Sequence, residues 1–421
     1  MLFGRYSLRC VTAWAGMLGL VASFTATAAE PAAITVGTAA PVSGAPSAAE
    51  NAASDPLLDS PGDGSCGPPG RIWFRAEALL WWTNGADTPP LVSTGIVGQP
   101  GTQILFGDDP VNAGLRGGVR LRAGTWLDCG QSRGVEASFF WLGNDGDGAT
   151  FGDGAIFRPF IDADTGQNSI EIVNLPGVVD GRVVVGTGSS LLGAEALWRH
   201  NLCCDCCCCF DPCDCSKVGV RRDLLIGFRY LNFSDRLTIR EDLFPLDPIV
   251  VPGTGINLTD SFRAFNNFYG LKLGLALERY RGPWSLEARP QVSVGALVRD
   301  VQIRGNTTVT IPGVPDQQST GGLYALSSNI GDYSSTRFAV VPELDLHVGY
   351  LIRPQLRLLV GYSLLYIPQV LRAGEQIDPV VNTQLLPPVV PPVTGPQRPA
   401  FPNHDSDLWV QGLNLGIEWR F

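Results

Sequence analysis

The chain has 421 residues, 17% of them charged, and its 30 basic and 40 acidic side chains give a formal net charge of −10. Ordinary soluble domains carry roughly 25% charged residues, so the shortfall argues against a disordered or nucleic-acid-binding chain, as does the acidic balance. The 50 glycines and 32 prolines disfavour helix interiors, and 3 histidines leave little for catalytic constellations, so a helical membrane protein and a typical cytosolic enzyme both fit poorly.

Residues 1–28 have the parts of a secretory signal peptide. Arg5 and Arg9 supply the positive end, Val11 to Phe24 the apolar run, and Ala26-Thr27-Ala28 the small residues at a cleavage site. The run falls short of the ~20 apolar residues that a helical span needs, so export is expected. Residues 29–70, rich in Ala, Pro and Ser without a periodic apolar pattern, read as a flexible leader.

From residue 71 to 421 the chain alternates with period two, as strands do when one face is apolar and the other polar. Ten strands are predicted, at about 71–82, 114–126, 134–143, 189–201, 218–233, 264–280, 284–304, 337–352, 356–371 and 409–421. Short turns follow strands two, six and eight; long loops, about 83–113, 144–188, 234–263, 305–336 and 372–408, follow the odd-numbered strands. Even strand number, short turns on one side and long loops on the other are the marks of an outer-membrane barrel. The expected fold is therefore all-β, a closed antiparallel transmembrane β-barrel of about 10 strands with short periplasmic turns and long external loops. A hairpin hidden in a loop would make 12. A soluble sandwich or propeller is the structural rival, but it does not place five long loops on one side.

The last strand puts Leu413, Leu415, Ile417, Trp419 and Phe421 on one face, a pattern like the terminal signal, here Trp419 and Phe421, read by the barrel-assembly machinery. Trp73, Trp81, Trp82, Trp126, Trp141, Trp198, Trp284, Trp409 and Trp419 lie at or near strand ends, as expected for the bilayer boundary. The polar face carries Arg75, Arg116, Arg120, Arg122, Arg199, Arg229, Lys272, Arg289, Arg299, Arg357 and Arg420 against Glu77, Glu136, Glu195, Asp223, Glu278, Glu287, Glu343, Asp345 and Glu418. Crowded opposite charges in a small barrel should pair, because unpaired buried charge costs several kcal/mol. A narrow or closed lumen is expected; an arginine-lined selective pore is the alternative.

Several segments resemble a known family. RIWFRAEALLWWTNGADTPPLVSTG (Arg71 to Gly95), TQILFGDDPVNAGLRGGVRLRAGTWLD (Thr102 to Asp128), GVEASFFWLG (Gly134 to Gly143), LLGAEALWRHNLCC (Leu191 to Cys204) and RRDLLIGFRYLNFSDRLTIRE (Arg221 to Glu241) are similar, in order and spacing, to the putative beta-barrel porin-7 family. The resemblance spans roughly 71–421 and implies a bacterial outer-membrane barrel; it carries no catalytic residues across. The cysteine-rich insert at 203–215 departs from the shorter turn of that family.

That insert, a periplasmic turn by the strand count, holds Cys203, Cys204, Cys206, Cys207, Cys208, Cys209, Cys213 and Cys215. Thiolates at this density could hold Zn or Cu(I); the alternative is a mixed disulfide knot or an expanded low-complexity turn. Cys66, just before strand one, and Cys129, just after strand two, would neighbour each other on the periplasmic rim, so a disulfide between them is expected. No G-x-S-x-G, P-loop or H-E-x-x-H occurs, and no nucleophile is marked out for His404 and Asp405.

The sequence thus points to a non-enzymatic outer-membrane barrel without a resident cofactor, porin-like or structural, with a narrow charged lumen. Its expected partners are outer-membrane lipid and the assembly machinery. The alternative is a surface-binding barrel whose external loops contact a ligand or envelope partner.

Overall fold

The computed structural model describes residues 70–204 and 219–421. The signal-peptide segment, the leader up to residue 69, Cys66 and Cys206 to Cys215 lie outside the described residues, and of Cys203 and Cys204 only the backbone is described.

Ten antiparallel strands form the wall: β1 Ile72–Thr83, β2 Gly114–Trp126, β3 Arg133–Asp145, β4 Val179–Cys204, β5 Gly219–Pro245, β6 Gly255–Arg281, β7 Trp284–Thr310, β8 Gly331–Arg353, β9 Leu356–Leu371 and β10 Asp405–Arg420. Each pairs with the next, and β10 pairs with β1 from Trp73↔Arg420 to Thr83↔Val410, so the sheet closes on itself. Two short strands, Gly148–Phe151 and Gln317–Thr320, pair with β4 and β7 without joining the ring, so the barrel has ten strands and not twelve.

Around the short-turn half, the outward positions are apolar and exposed: Phe74, Leu80 and Trp82 on β1, Leu271 and Leu273 on β6, Val348 and Tyr350 on β8, Leu415 and Ile417 on β10. On β7 the apolar outward positions run from Trp284 to Ala296, about 30 Å of wall at ~3.4 Å per residue and ~40° of tilt, the thickness of a hydrocarbon core.

The strands do not stop there. β5, β6 and β7 have 27 residues each, about 70 Å along the axis by the same arithmetic and over twice what a bilayer requires. The expected loop at 234–263 is therefore largely wall, and the one at 305–336 is wall at its two ends, up to Thr310 and from Gly331. In the extension the alternation changes phase. On β5 the apolar residues face outward at Ile226 and Phe228, but inward at Leu237, Ile239 and Leu243, with Arg236 and Arg240 outside. Water, not lipid, surrounds this part, so the apolar face turns to a protein core as in a soluble sheet.

The occupants of that core come from the long connections. Segments Val92–Ser93, Ile104–Phe106, Ile156–Asp162, Asn168–Asn174 and Val380–Val381 form a second, five-stranded sheet. Leu91, Val92, Ile156, Phe160 and Val173, with Leu323 to Leu326 from the β7–β8 connection, pack against Val183, Val185, Phe262, Val301 and Ile303 of the extended wall. Each such side chain contributes about 1.5–3 kcal/mol on burial, so the connections are folded structure and not free loops.

Candidate functional site

The inside of this ten-stranded ring is filled by its own buried side chains. Its periplasmic half is an ion-pair mesh, one large network with a four-residue cluster of Lys272, Arg229, Glu195 and Glu343 beside it. Arg75 of β1 reaches Glu418 of β10 at 2.6 Å and Glu287 of β7 at 2.7 Å. Arg120 of β2 reaches Asp345 of β8 at 3.0 Å and Glu77 at 3.7 Å. Arg122 lies 3.5 Å from both Glu136 and Asp345, and Arg289 pairs with Glu136 and, at 3.6 Å, with Glu287. Arg199 binds Asp223, Glu278 and, at 3.5 Å, Glu136. Lys272 Nζ sits 2.6 Å from both Glu195 and Glu343, which also hold Arg229 at 2.5 and 3.2 Å. Arg357 and Arg420 complete the ring on Glu418. His347, absent from the sequence-derived set, lies 2.6 Å from Glu77. Its signal was its parity with Glu343 and Asp345 on β8.

Two of the expected lumen residues stand apart. Arg116 donates to the carbonyls of Asn112 and Ser189 at 2.6 and 2.9 Å, well above the mesh. Arg299 pairs with Asp405 at 2.8 Å near the top of the lipid belt. The strand alternation gave both their inward face but not their height.

Three of the tryptophans expected at the bilayer boundary do not meet lipid. Trp73, Trp81 and Trp126 point inward and are buried, where they stack on guanidinium groups and not on lipid: Arg120 lies 5.0 Å from the Trp81 ring, Arg199 5.0 Å and Arg221 4.1 Å from the Trp126 ring. Delocalised guanidinium over an indole face is favourable once water is excluded. Trp73 and Trp81 share parity with Arg75 and Glu77, which was the available clue. Trp82, Trp141, Trp198, Trp284 and Trp419 do face outward and are exposed.

Above the mesh the interior is apolar. Leu79, Trp81, Phe140, Leu142, Leu191, Phe233, Phe268 and Leu297 meet across the axis, all buried. Next comes a cavity of about 10 Å³ lined by residues including Thr83, Asn112, Arg116, Ser189, Asp235 and Arg372. That is room for about one water, far below the ~300 Å³ of a small-molecule site. Higher still, outside the bilayer, Arg158 is buried among carboxylates: it binds Glu241, reaches Asp260 at 2.8 Å and Glu171 at 3.9 Å, and lies 4.6 Å from the Tyr324 ring. Asp260 also accepts from the backbone N–H groups of Leu323, Tyr324 and Ala325, which fixes the plug segment to the wall. Burial first, then the Glu241 carboxylate, hold the Glu171 carboxyl well above its ordinary value; burial also raises Glu241.

At the outer rim, His404 Nδ1 lies 3.6 Å from Glu375, and among the described residues no hydroxyl hydrogen-bonds the His404 ring. Among the described residues there is also no group of three or more His, Cys, Asp or Glu placed to hold a metal ion. The cysteine-rich turn falls outside that statement.

Residues 73–421 match the sequence profile of the family described as Putative beta barrel porin-7. The chain belongs to that family. No curated protein matches it. Solved structures similar to this porin-7 barrel include the Pseudomonas putida toluene transporter TodX, at 8% identity over 87% of this chain and 93% of that one, TM-score 0.23. A Pseudomonas aeruginosa FadL homologue matches at 9% identity over 84% and 90%, TM-score 0.22. The translocator domain of the autotransporter NalP from Neisseria meningitidis matches at 8% over 85% and 91%, TM-score 0.21. As a porin-7 family barrel with an apolar outer belt, the protein is an outer-membrane protein.

Proposed function

We propose that this porin-7 barrel works with its axis closed: a non-enzymatic envelope component whose narrow, charged interior passes no wide stream of water. The observation that carries this reading is the stacking of three fillings along one axis, an ion-pair mesh, an apolar layer and a folded plug. An open arginine-lined pore would need carboxylates and guanidinium groups on opposite banks of water; here they lie within hydrogen-bond distance. Liposome swelling with arabinose tests it. Proteoliposomes should swell no faster than protein-free vesicles, and rapid swelling contradicts the reading.

Export by the segment 1–28, lipid as the surrounding partner and assembly by the barrel-insertion machinery belong to the same proposal. So does the lumen role of the charged set from Arg75 to Arg420. A second reading, contact with an envelope partner through the external end, is favoured by apolar tips exposed there: Ile249 is 91% and Val390 76% accessible. Deleting the 246–254 tip should abolish such contact and leave permeability unchanged.

A further inference from the structure

The wall is interrupted between β8 and β9. Their ladder runs from Arg353↔Leu356 to Glu343↔Leu365 and stops, although β8 continues to Gly331, paired with β7 throughout. Beyond Leu365, β9 carries Pro368, which has no N–H to donate, and a bulge between Ile367 and Val370 with Gln369 at φ 58°. The strand then stays paired with β10, to Leu371↔Asp405, but no longer with β8. Leu371 is buried and exchanges two hydrogen bonds of 2.8 Å with the side chain of Asn266, on the inner face of β6.

Arg299 occupies the interruption. It grows from the inner face of β7, in step with buried Leu297 and Val301, and is itself fully buried. Its guanidinium donates to Ser335 Oγ of β8 at 3.2 Å, to the Gln369 carbonyl of β9 at 2.9 Å and to Asp405 Oδ2 of β10 at 2.8 Å. Asp405 is in step with the outward Leu413, Leu415 and Ile417, and its side chain is 40% exposed. A side chain rooted inside meets a carboxylate rooted outside here because β9 is no longer paired with β8 at this height and β10 begins at Asp405.

Both sides of this seam are apolar. Outside, Phe338 is 71% exposed and Val340 lies beside it; inside, Ala339, Val341, Leu365 and Ile367 belong to the apolar layer. We propose that the β8–β9 seam is a lateral portal, latched by Arg299 and Asp405, through which small apolar molecules pass between the bilayer and the apolar layer of the barrel. The latch is a single side chain, Arg299, making three hydrogen bonds where a strand ladder would make many, so the seam opens without unzipping the wall. The proposal rests on the closed axis, which leaves the side as the way in.

The test is photolabelling of the full chain in liposomes with trifluoromethyl-iodophenyl-diazirine, a small apolar carbene precursor that dissolves in the bilayer, with sites mapped by mass spectrometry. Val341, Leu365 and Ile367 should label above the inner-face residues Leu142 and Leu191 of the opposite wall, and excess cyclohexane should compete. Arg299→Met and Asp405→Asn should raise that labelling severalfold, whereas Arg299→Lys, which can keep the tie to Asp405, should stay near the unsubstituted protein. Folding of each variant is checked by its heat-modifiable gel mobility. Seam residues that label no more than Leu142 and Leu191, in the parent and in folded Asp405→Asn alike, overturn the portal. So does a rise shared equally by all inner-face positions. Arabinose swelling by the parent protein contradicts the closed axis instead, whatever the labelling.

Discussion

The Trp81 indole N–H donates to Asn414 Oδ1 at 2.7 Å, joining the first wall strand to the last from inside the barrel. Asn414 in turn donates to Ser363 Oγ of β9 at 2.7 Å, so three consecutive strands share one buried polar chain. Trp81→Phe keeps the ring stacked under Arg120 but removes the donor, leaving the Asn414 oxygen unsatisfied at a cost of about 1–3 kcal/mol. Urea unfolding in detergent micelles should show that loss, and Trp81→Phe combined with Asn414→Leu should recover part of it.

The outward leucines of β6 make the lipid contact testable. Leu271 and Leu273 are more than half exposed, at 57% and 51%. An arginine at the midplane of a barrel costs about 2–4 kcal/mol, and much less near the interfaces. Leu273→Arg should lower stability by that amount in bilayers, while Arg263→Leu on the same strand above the belt should change it little. Equal effects at the two positions would mean that protein, not lipid, covers the belt.

The external head should respond to pH. A carboxyl held above its ordinary value in the folded state binds its proton more tightly there than when unfolded. Stability from this source is therefore full below the ordinary value of 4.5 and is lost as pH rises through the folded value. The melting temperature of the head should fall from mildly acid to alkaline pH, and Glu171→Gln should flatten that slope and stabilise the neutral protein. Arg158→Leu leaves Glu241 and Asp260 facing each other unpaired and should cost about 3–5 kcal/mol. Differential scanning calorimetry of the three proteins across pH gives the comparison.

How far the sequence could be read depended on the solvent outside each strand. Within the bilayer, alternation such as Leu271, Leu273 and Leu275 against Lys272 and Glu278 announces both the strand and its lipid face, and the ten wall strands follow from it. At about Phe233, Ala264 and Val301 the apolar residues change to the inner face, and a reading tuned to apolar-outward strands ends there, although the backbone continues. The break in phase marks where lipid gives way to water. The plug was hidden for a different reason: Leu91, Phe160 and Tyr324 come from three separate connections and meet only in space. Pairing of Arg158 with Glu241 and Asp260 likewise joins positions that no periodicity relates.

The periplasmic rim carries a prediction about cysteine. Gln131 Nε2 donates to the Gly70 carbonyl at 3.1 Å, which brings the β2–β3 turn, with exposed Cys129, beside the residue where the described chain begins. Cys66 is four positions earlier, a reach consistent with the Cα separation below about 7 Å that a disulfide needs. Non-reducing peptide mapping should recover Cys66 linked to Cys129. Recovery of both as free thiols from protein exported to the envelope would exclude the bridge. Elemental analysis of the same sample decides between metal and disulfides at Cys203 to Cys215: zinc or copper at stoichiometric level favours the former, and its absence the latter.

Single-channel recording in planar bilayers tests the closed axis most directly. The full chain, inserted and verified as folded, is predicted to show no stable conductance steps, because the mesh around Arg120 and Asp345, the Phe140 and Phe268 layer and the Tyr324 plug must all part before ions flow. Steady steps on the nanosiemens scale from the unsubstituted protein would contradict the account.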